Sequence, residues 1–310
     1  MILYISIRNS VFYEKAEFFY FISKLQMNPV SFFKWLGRHR HCWVILGMVY
    51  LNMWLSIVKV NAQSKLQNIE AFDIIKSLPT SQEAYLLLKQ QKCDFNQKLN
   101  KKPKKIKFQQ IASPEVMAMN LGAMSSKVLY AEMYGKRERA RSFLVKMKVL
   151  MDSLQVKTIS SFTSLYQYVN KSKDLDYLVF RTGSFIEQIK DYCFKQGKIK
   201  QLILIYSGDW VESMYLMLSE TIKKNKIDLK HRLLEQALII EQLIYMYRNF
   251  DKNKLIGLVK QEVLSIDKVI KQAKVIGKNG KPDYSRLSKR RLRKMLKAIK
   301  RIRFKMMHLR

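Results

Sequence analysis

The sequence predicts an all-α protein, built as an antiparallel helical bundle or a helical-hairpin stack, and three observations support this. Five prolines and ten glycines are spread over 310 residues, 48% of them hydrophobic, and no pattern of strands alternating with helices is visible. Apolar side chains instead recur at spacings of three and four through most of the chain, and that fraction is ample for a core. The breaks between periodic segments are short, and short connections force neighbouring helices to run antiparallel.

In chain order, residues 1–26, MILYISIRNSVFYEKAEFFYFISKLQ, fit no part of a targeting segment. Met27 begins a conventional one, so translation is expected to start there. Residues 27–62 read as a signal peptide or signal anchor. Lys34, Arg38 and Arg40 precede a charge-free run from Cys42 to Val58, and Val60 and Ala62 are small enough for a signal peptidase to cut after Ala62. A run of this length also just spans a bilayer core, which keeps the uncleaved anchor open. In both cases the chain beyond it is exported, as a periplasmic or membrane-associated protein. Cys42 follows Arg40 and His41 rather than a lipobox, so lipidation is not expected.

Residues 63–96 hold two N-terminal helices, 66–78 and 81–92, separated by SLPT. Residues 97–112 are a Lys-rich linker, QKLNKKPKKIKFQQ at its centre, without apolar period. Residues 113–250 form a helical core domain. It opens with Ser113 as hydroxyl cap, Pro114 at the first helical position and Glu115 in the first turn. Helices follow at 114–133, 136–154, 158–170, 173–195, 198–223 and 227–249. Residues 251–310 form a basic helical hairpin extension, with helices at 252–276 and 287–307 on either side of GKNGKPDYS.

The helix at 198–223 is apolar on every side, as a central helix would be, and Trp210 is expected in its packing. Gly208 interrupts one face. A mid-helix glycine costs about 1 kcal/mol relative to alanine unless a neighbouring backbone needs the space, so it predicts a close helix crossing. Comparable notches occur at Gly122, between Ala118 and Ser126, and at Gly183, between Thr182 and Ser184. Gly122, Gly183, Gly208 and Trp210 are thus the expected structural positions.

Asp209 and Glu212, three residues apart on this helix, are the candidate catalytic residues. Two carboxylates in apolar surroundings suit acid–base chemistry. The competing reading pairs them with Arg181, Lys127 or the run KRERAR, Lys136 to Arg141, to fix helix register. No metal and no cofactor is indicated. Only His231 and His308 follow the signal region, no Glu-x-x-His is present, and phosphate-binding glycine loops and serine nucleophile motifs are missing. Cys93 and Cys193 are either a disulfide or two buried thiols. Tyr130, Tyr134, Tyr166, Tyr168, Tyr245 and Tyr247 could line a ligand groove or border the core.

The pieces SLPTSQE (77–83), MAMNLGAMSSKVLYAEMYGKRERA (117–140) and YSGDWVESMYL (206–216) carry a resemblance. Over about residues 66–250 the chain resembles an uncharacterised family of exported, mostly lipid-anchored, all-helical proteins of the Bacteroidetes group. The resemblance implies a helical fold and a cell-envelope location and no activity. The chain departs from it in lacking a lipobox cysteine and in its basic region after residue 250.

Charge is the remaining signal: 58 Lys and Arg stand against 24 Asp and Glu, a formal net charge of +34. Residues 251–310 alone hold 20 basic residues against 4 acids, and no acid follows Asp283. Leu292, Met295, Ile299, Ile302 and Met306 form an apolar seam in the last helix. The opposite face then offers Arg290, Arg291, Arg293, Lys294, Lys297, Lys300, Arg301 and Lys305 as an anion-binding set. The expected partner is anionic lipid or another envelope polyanion, with nucleic acid less favoured because of export; a protein partner is not identified. Three functions follow: an exported binding module, an anion-binding protein acting through the tail, and an enzyme using Asp209 and Glu212. The address is checked directly. N-terminal sequencing of the protein from its native source should begin at Gln63; an intact membrane-bound product would mean an anchor, and an intact cytoplasmic product would overturn export.

Overall fold

The computed structural model describes residues 68–96, 113–158, 162–171, 174–248, 250, 253–273 and 286–308. The expected start at Met27, the signal segment at 27–62 and the linker at 97–112 lie outside them. Of the described residues 86% are helical and none is in a strand, the all-α bundle that the periodicity predicts. In chain order the helices are α1 (68–77), α2 (Ser81–Gln90), α3 (Pro114–Met133), α4 (Arg137–Ser153), α5 (Phe162–Lys171) and α6 (Leu175–Lys195). Then come α7 (Ile199–Lys224), α8 (Ile227–Arg248), α9 (Lys254–Ala273) and α10 (Lys289–His308).

Local chemistry sets several of these ends. The Ser113 hydroxyl accepts from the Val116 amide at 3.3 Å ahead of Pro114, and Asp174 Oδ1 accepts from the amides of Asp176 and Tyr177 at 3.0 Å each. These bonds satisfy orphan donors at the starts of α3 and α6. Gly135 and Gly197 adopt φ of +64° and +65° just past α3 and α6, where a left-handed residue turns the chain back onto the last carbonyls.

Helices α3 and α7 form the central pair, and the others are arranged around them. α2 and α6 pack on both, α4 packs on α3, and α5 joins α4 to α6. On the other side α10 lies against α7, α9 and α3, and α8 packs on α7 and α9. All of this belongs to one compact unit, Gln67–Arg310. The two C-terminal helices belong to it as well, and their seams close onto the bundle as well as onto each other. Ile256, Val259, Val263, Ile266 and Ile270 are fully buried, as are Met295, Ile299 and Ile302. Among the described residues no helix is long and apolar enough to cross a membrane.

The α3–α7 contact is one of backbones. A Cβ placed on Gly122 would stand 1.7 Å from the Ile205 carbonyl oxygen, and one placed on Gly208 would stand 1.8 Å from the Met119 carbonyl oxygen. Each glycine thus accommodates the other helix's main chain, as the notches predict. Gly183 does not share this role. It is partly exposed, and its nearest obstacle is the flexible Gln82 amide, 3.3 Å from an added Cβ. The notch there faces a side chain that can move aside. Gly208→Ala is therefore expected to lower stability by at least the about 1 to 3 kcal/mol typical of overpacking, because a carbonyl in a helix cannot step away. Gly183→Ala should change it by no more than about 0.5 kcal/mol. Denaturant unfolding of the two variants checks this, and equal midpoints would contradict the backbone contact.

Candidate functional site

Helix α7 carries Asp209, Trp210 and Glu212 into the centre of the bundle, and the two carboxylates have different surroundings there. Glu212, 1% exposed, is held in a forked pair by Arg303 of α10: Nε donates to Oε2 at 3.0 Å and Nη2 to Oε1 at 3.1 Å. Lys127 of α3 stands 3.6 Å from the same Oε2. The Arg303 guanidinium also stacks on Tyr215, 3.7 Å from the ring centroid, which suits its planar, delocalised charge. Burial lowers the Lys127 pKa and the Arg303 charge adds to this, with Glu212 opposing. Glu212 is accordingly a neutralised structural acid. Removing one partner of such a buried pair typically costs about 3 to 5 kcal/mol, because the other charge is stranded.

Of the cations proposed to neutralise the pair, only Lys127 does so. Arg181 lies instead over the Tyr168 ring, and within KRERAR, Arg141 pairs with Glu138 and donates to Asn170 Oδ1 at 3.0 Å. Arg303 escaped the sequence reading, although its place beside Ile302 and one turn beyond Ile299 put it at the edge of the buried seam.

Asp209 is 7% exposed, and its Oδ1 has no hydrogen-bond partner. Burial raises its pKa, opposed by the Lys190 charge and by the nearby Ser81 and Ser126 hydroxyls, neither of which closes a bond to Oδ1. It lines a crevice of about 20 Å³ together with Ser81, Tyr206, Trp210, Arg232 and Gln236. Ser81 Oγ is unpartnered there as well, whereas Trp210 Nε1 donates to Gln236 Oε1 at 3.1 Å. The space suits one water bridging Asp209 and Ser81 and is too small for a substrate. A raised, unpaired carboxyl and an ion-paired one do not make the acid–base pair that the spacing suggested.

A third buried acid was missed. Glu132 of α3 is fully buried, accepts from Thr182 Oγ1 at 2.9 Å and leaves Oε2 unpartnered. Desolvation raises its pKa to about 8, with the Thr182 bond opposing, so it carries a proton at neutral pH. Its one sequence signal is an acid inside the apolar run SSKVLYAEM. The six tyrosines line no common groove: Tyr130 and Tyr247 are buried, Tyr134 packs on Tyr130, and Tyr245 is exposed, donating to Glu70 at 2.7 Å. Cys93 and Cys193 are free buried thiols, and burial pushes that of Cys193 up to about 11.

The basic set on α10 divides in three. Arg290, Arg293, Lys294, Lys297 and Lys300 are exposed and, among the described residues, have no acidic partner; Lys289 joins them. Arg291 and Lys305 are partly buried, and the Arg291 guanidinium donates to the Arg286 carbonyl at 2.7 Å. Arg301 is exposed but forked onto Glu262, at 2.6 and 2.5 Å, so its charge is largely offset. At the start of α10 a crevice of about 330 Å³ extends the basic surface through Lys223, Lys230 and Lys289. Comparisons with protein families, curated proteins and solved structures find no match.

Glu132 gives the bundle a pH dependence of known sign. Its folded pKa lies above the ordinary value of 4.5, so the stability it confers is complete below that value and is lost as pH rises to about 8. The thermal midpoint should fall across that window, and Glu132→Gln should flatten the slope. A parent slope that the variant retains in full would assign the dependence to another group.

Proposed function

We propose that the chain is a binding module that docks on anionic lipid headgroups at the cell envelope through the solvent face of α10. The observation that carries this reading is the row Arg290, Arg293, Lys294, Lys297 and Lys300, five exposed cations on one helical face with no acid against them among the described residues. With 3.6 residues per turn these positions share an arc of about 120° opposite the buried seam. The helix is also fixed in place, since the pair between Arg303 and Glu212 and the stack on Tyr215 hold its inner side against α7.

Each cation near an anionic leaflet adds up to about 1 kcal/mol, less with salt, so a row of five supports reversible surface binding. Export, expected from residues 27–62, favours lipid or another envelope polyanion over nucleic acid. The family resemblance points to the same compartment. No observation favours catalysis, because Glu212 is ion-paired and the crevice beside Asp209 admits little more than a water.

The test is sedimentation with phosphatidylglycerol vesicles and with neutral phosphatidylcholine vesicles at low salt. Binding to the first, little to the second, and a steep loss with added salt are expected. The combined substitution Arg290→Gln, Arg293→Gln, Lys294→Gln and Lys297→Gln should remove most of the binding. It leaves the Arg303 pair intact, whereas deleting the helix would strip Glu212 of its partner. Undiminished binding by the substituted chain would show that α10 is not the docking face.

A further inference from the structure

On the exposed side of α10 one residue is out of character. Phe304 is 60% exposed in a helix whose other apolar side chains are mostly buried in the seam. By helical position it falls between Arg293 and Lys297 on the basic arc, one turn beyond Lys300 and Arg301. An aromatic ring among cations is amphipathic: the charges meet headgroups while the ring reaches the acyl boundary beneath them.

The backbone beneath the ring is tethered on both sides. Arg303, the preceding residue, is locked by Glu212 and Tyr215. Two residues later the Met306 carbonyl, in the last turn where helix carbonyls lack internal partners, accepts from Asn120 Nδ2 at 2.7 Å. The helix cannot roll to bury the ring without breaking the Glu212 pair.

We infer that Phe304 is a wedge that enters the apolar edge of an anionic bilayer when α10 docks. This rests on the reading above that α10 faces anionic lipid, and it adds what sets a bilayer apart from other polyanions. A strand held by base stacking needs a groove that tracks its backbone. α10 instead offers the convex side of a cylinder about 30 Å long, which meets a plane along its length. Heparin and duplex DNA would engage the cations and gain little from the ring, whereas a bilayer would engage both.

The experiment compares the parent chain, Phe304→Ala, Phe304→Trp and the four-glutamine variant on phosphatidylglycerol vesicles and on immobilised heparin and duplex DNA. Phe304→Ala should weaken vesicle partitioning about tenfold while the salt needed for elution from heparin and DNA is unchanged. Phe304→Trp, measured against the parent as background, should gain emission quenched by lipids brominated in their acyl chains. An unchanged melting curve for Phe304→Ala shows that the fold is intact. If Phe304→Ala partitions like the parent while the four-glutamine variant does not, the wedge is wrong and the electrostatic reading stands. If Phe304→Ala loses heparin or DNA affinity in the same proportion as vesicle affinity, the ring contacts the polyanion and the bilayer assignment fails. A parent chain that ignores the vesicles would overturn both readings.

Discussion

The rest of the structure depends on the contact between the main chains of α3 and α7 at Gly122 and Gly208. Two helices that each set a main-chain carbonyl against the other's glycine, where a side chain would ordinarily stand, are unusually close, so their flanking side chains are driven outward on both sides of the crossing. That is why α7 needs apolar residues all round, and why α3 buries nearly its full circumference. The same approach brings polar groups into reach. Ser126, one turn beyond Gly122, donates to the Asp209 carbonyl at 3.2 Å and meets the Tyr85 hydroxyl from α2. A layer of serine and tyrosine hydroxyls thus satisfies groups that the crossing would otherwise strand.

Electrostatics orients what packing alone would leave free to slide. A hydrophobic seam tolerates rotation by a fraction of a turn, but the fork from Arg303 to Glu212 does not, because both oxygens are occupied in one plane. The registry of α10 on α7 is set by that pair, and which residues of α10 face solvent follows from it. The pair between Arg301 and Glu262 fixes the same helix to α9 on its other flank. A chain with a net charge of +34 thus places several of its few acids at helix junctions, while the exposed row on α10 has no acid against it among the described residues.

Much of this was legible in the sequence, for identifiable reasons. The bounds of α3 follow from Ser113 and Pro114 at one end and Gly135 at the other, which are local signals. The Gly208 notch was legible because a glycine in an otherwise apolar helix has few causes. Gly183 looked similar on paper, but small neighbours reveal a gap and not what fills it; there it is Gln82. The partner of Glu212 was hidden because Arg303 lies 91 residues away, and no local rule links the two. Periodicity likewise made the α9 and α10 seams plain but not their destination, since the same pattern closes a free hairpin or covers a bundle. The candidate catalytic pair was a matter of spacing alone, and spacing does not show that one carboxylate is neutralised while its neighbour faces a hole for one water.

The separation along the chain of the two helices that meet at the glycines has a bearing on biogenesis. α3 emerges from the ribosome well before α7, and until α7 follows, its crossing face has no partner and its apolar surface is open to the wrong ones. Closing so long a loop is only modestly costly in entropy, yet contacts of high sequence separation form slowly. Since α10 is made well after α7, Glu212 lacks its forked cation until a helix 91 residues further along has followed. Both the central crossing and the neutralised acid thus wait on segments far along the chain, and a nascent chain that has not yet reached them has neither.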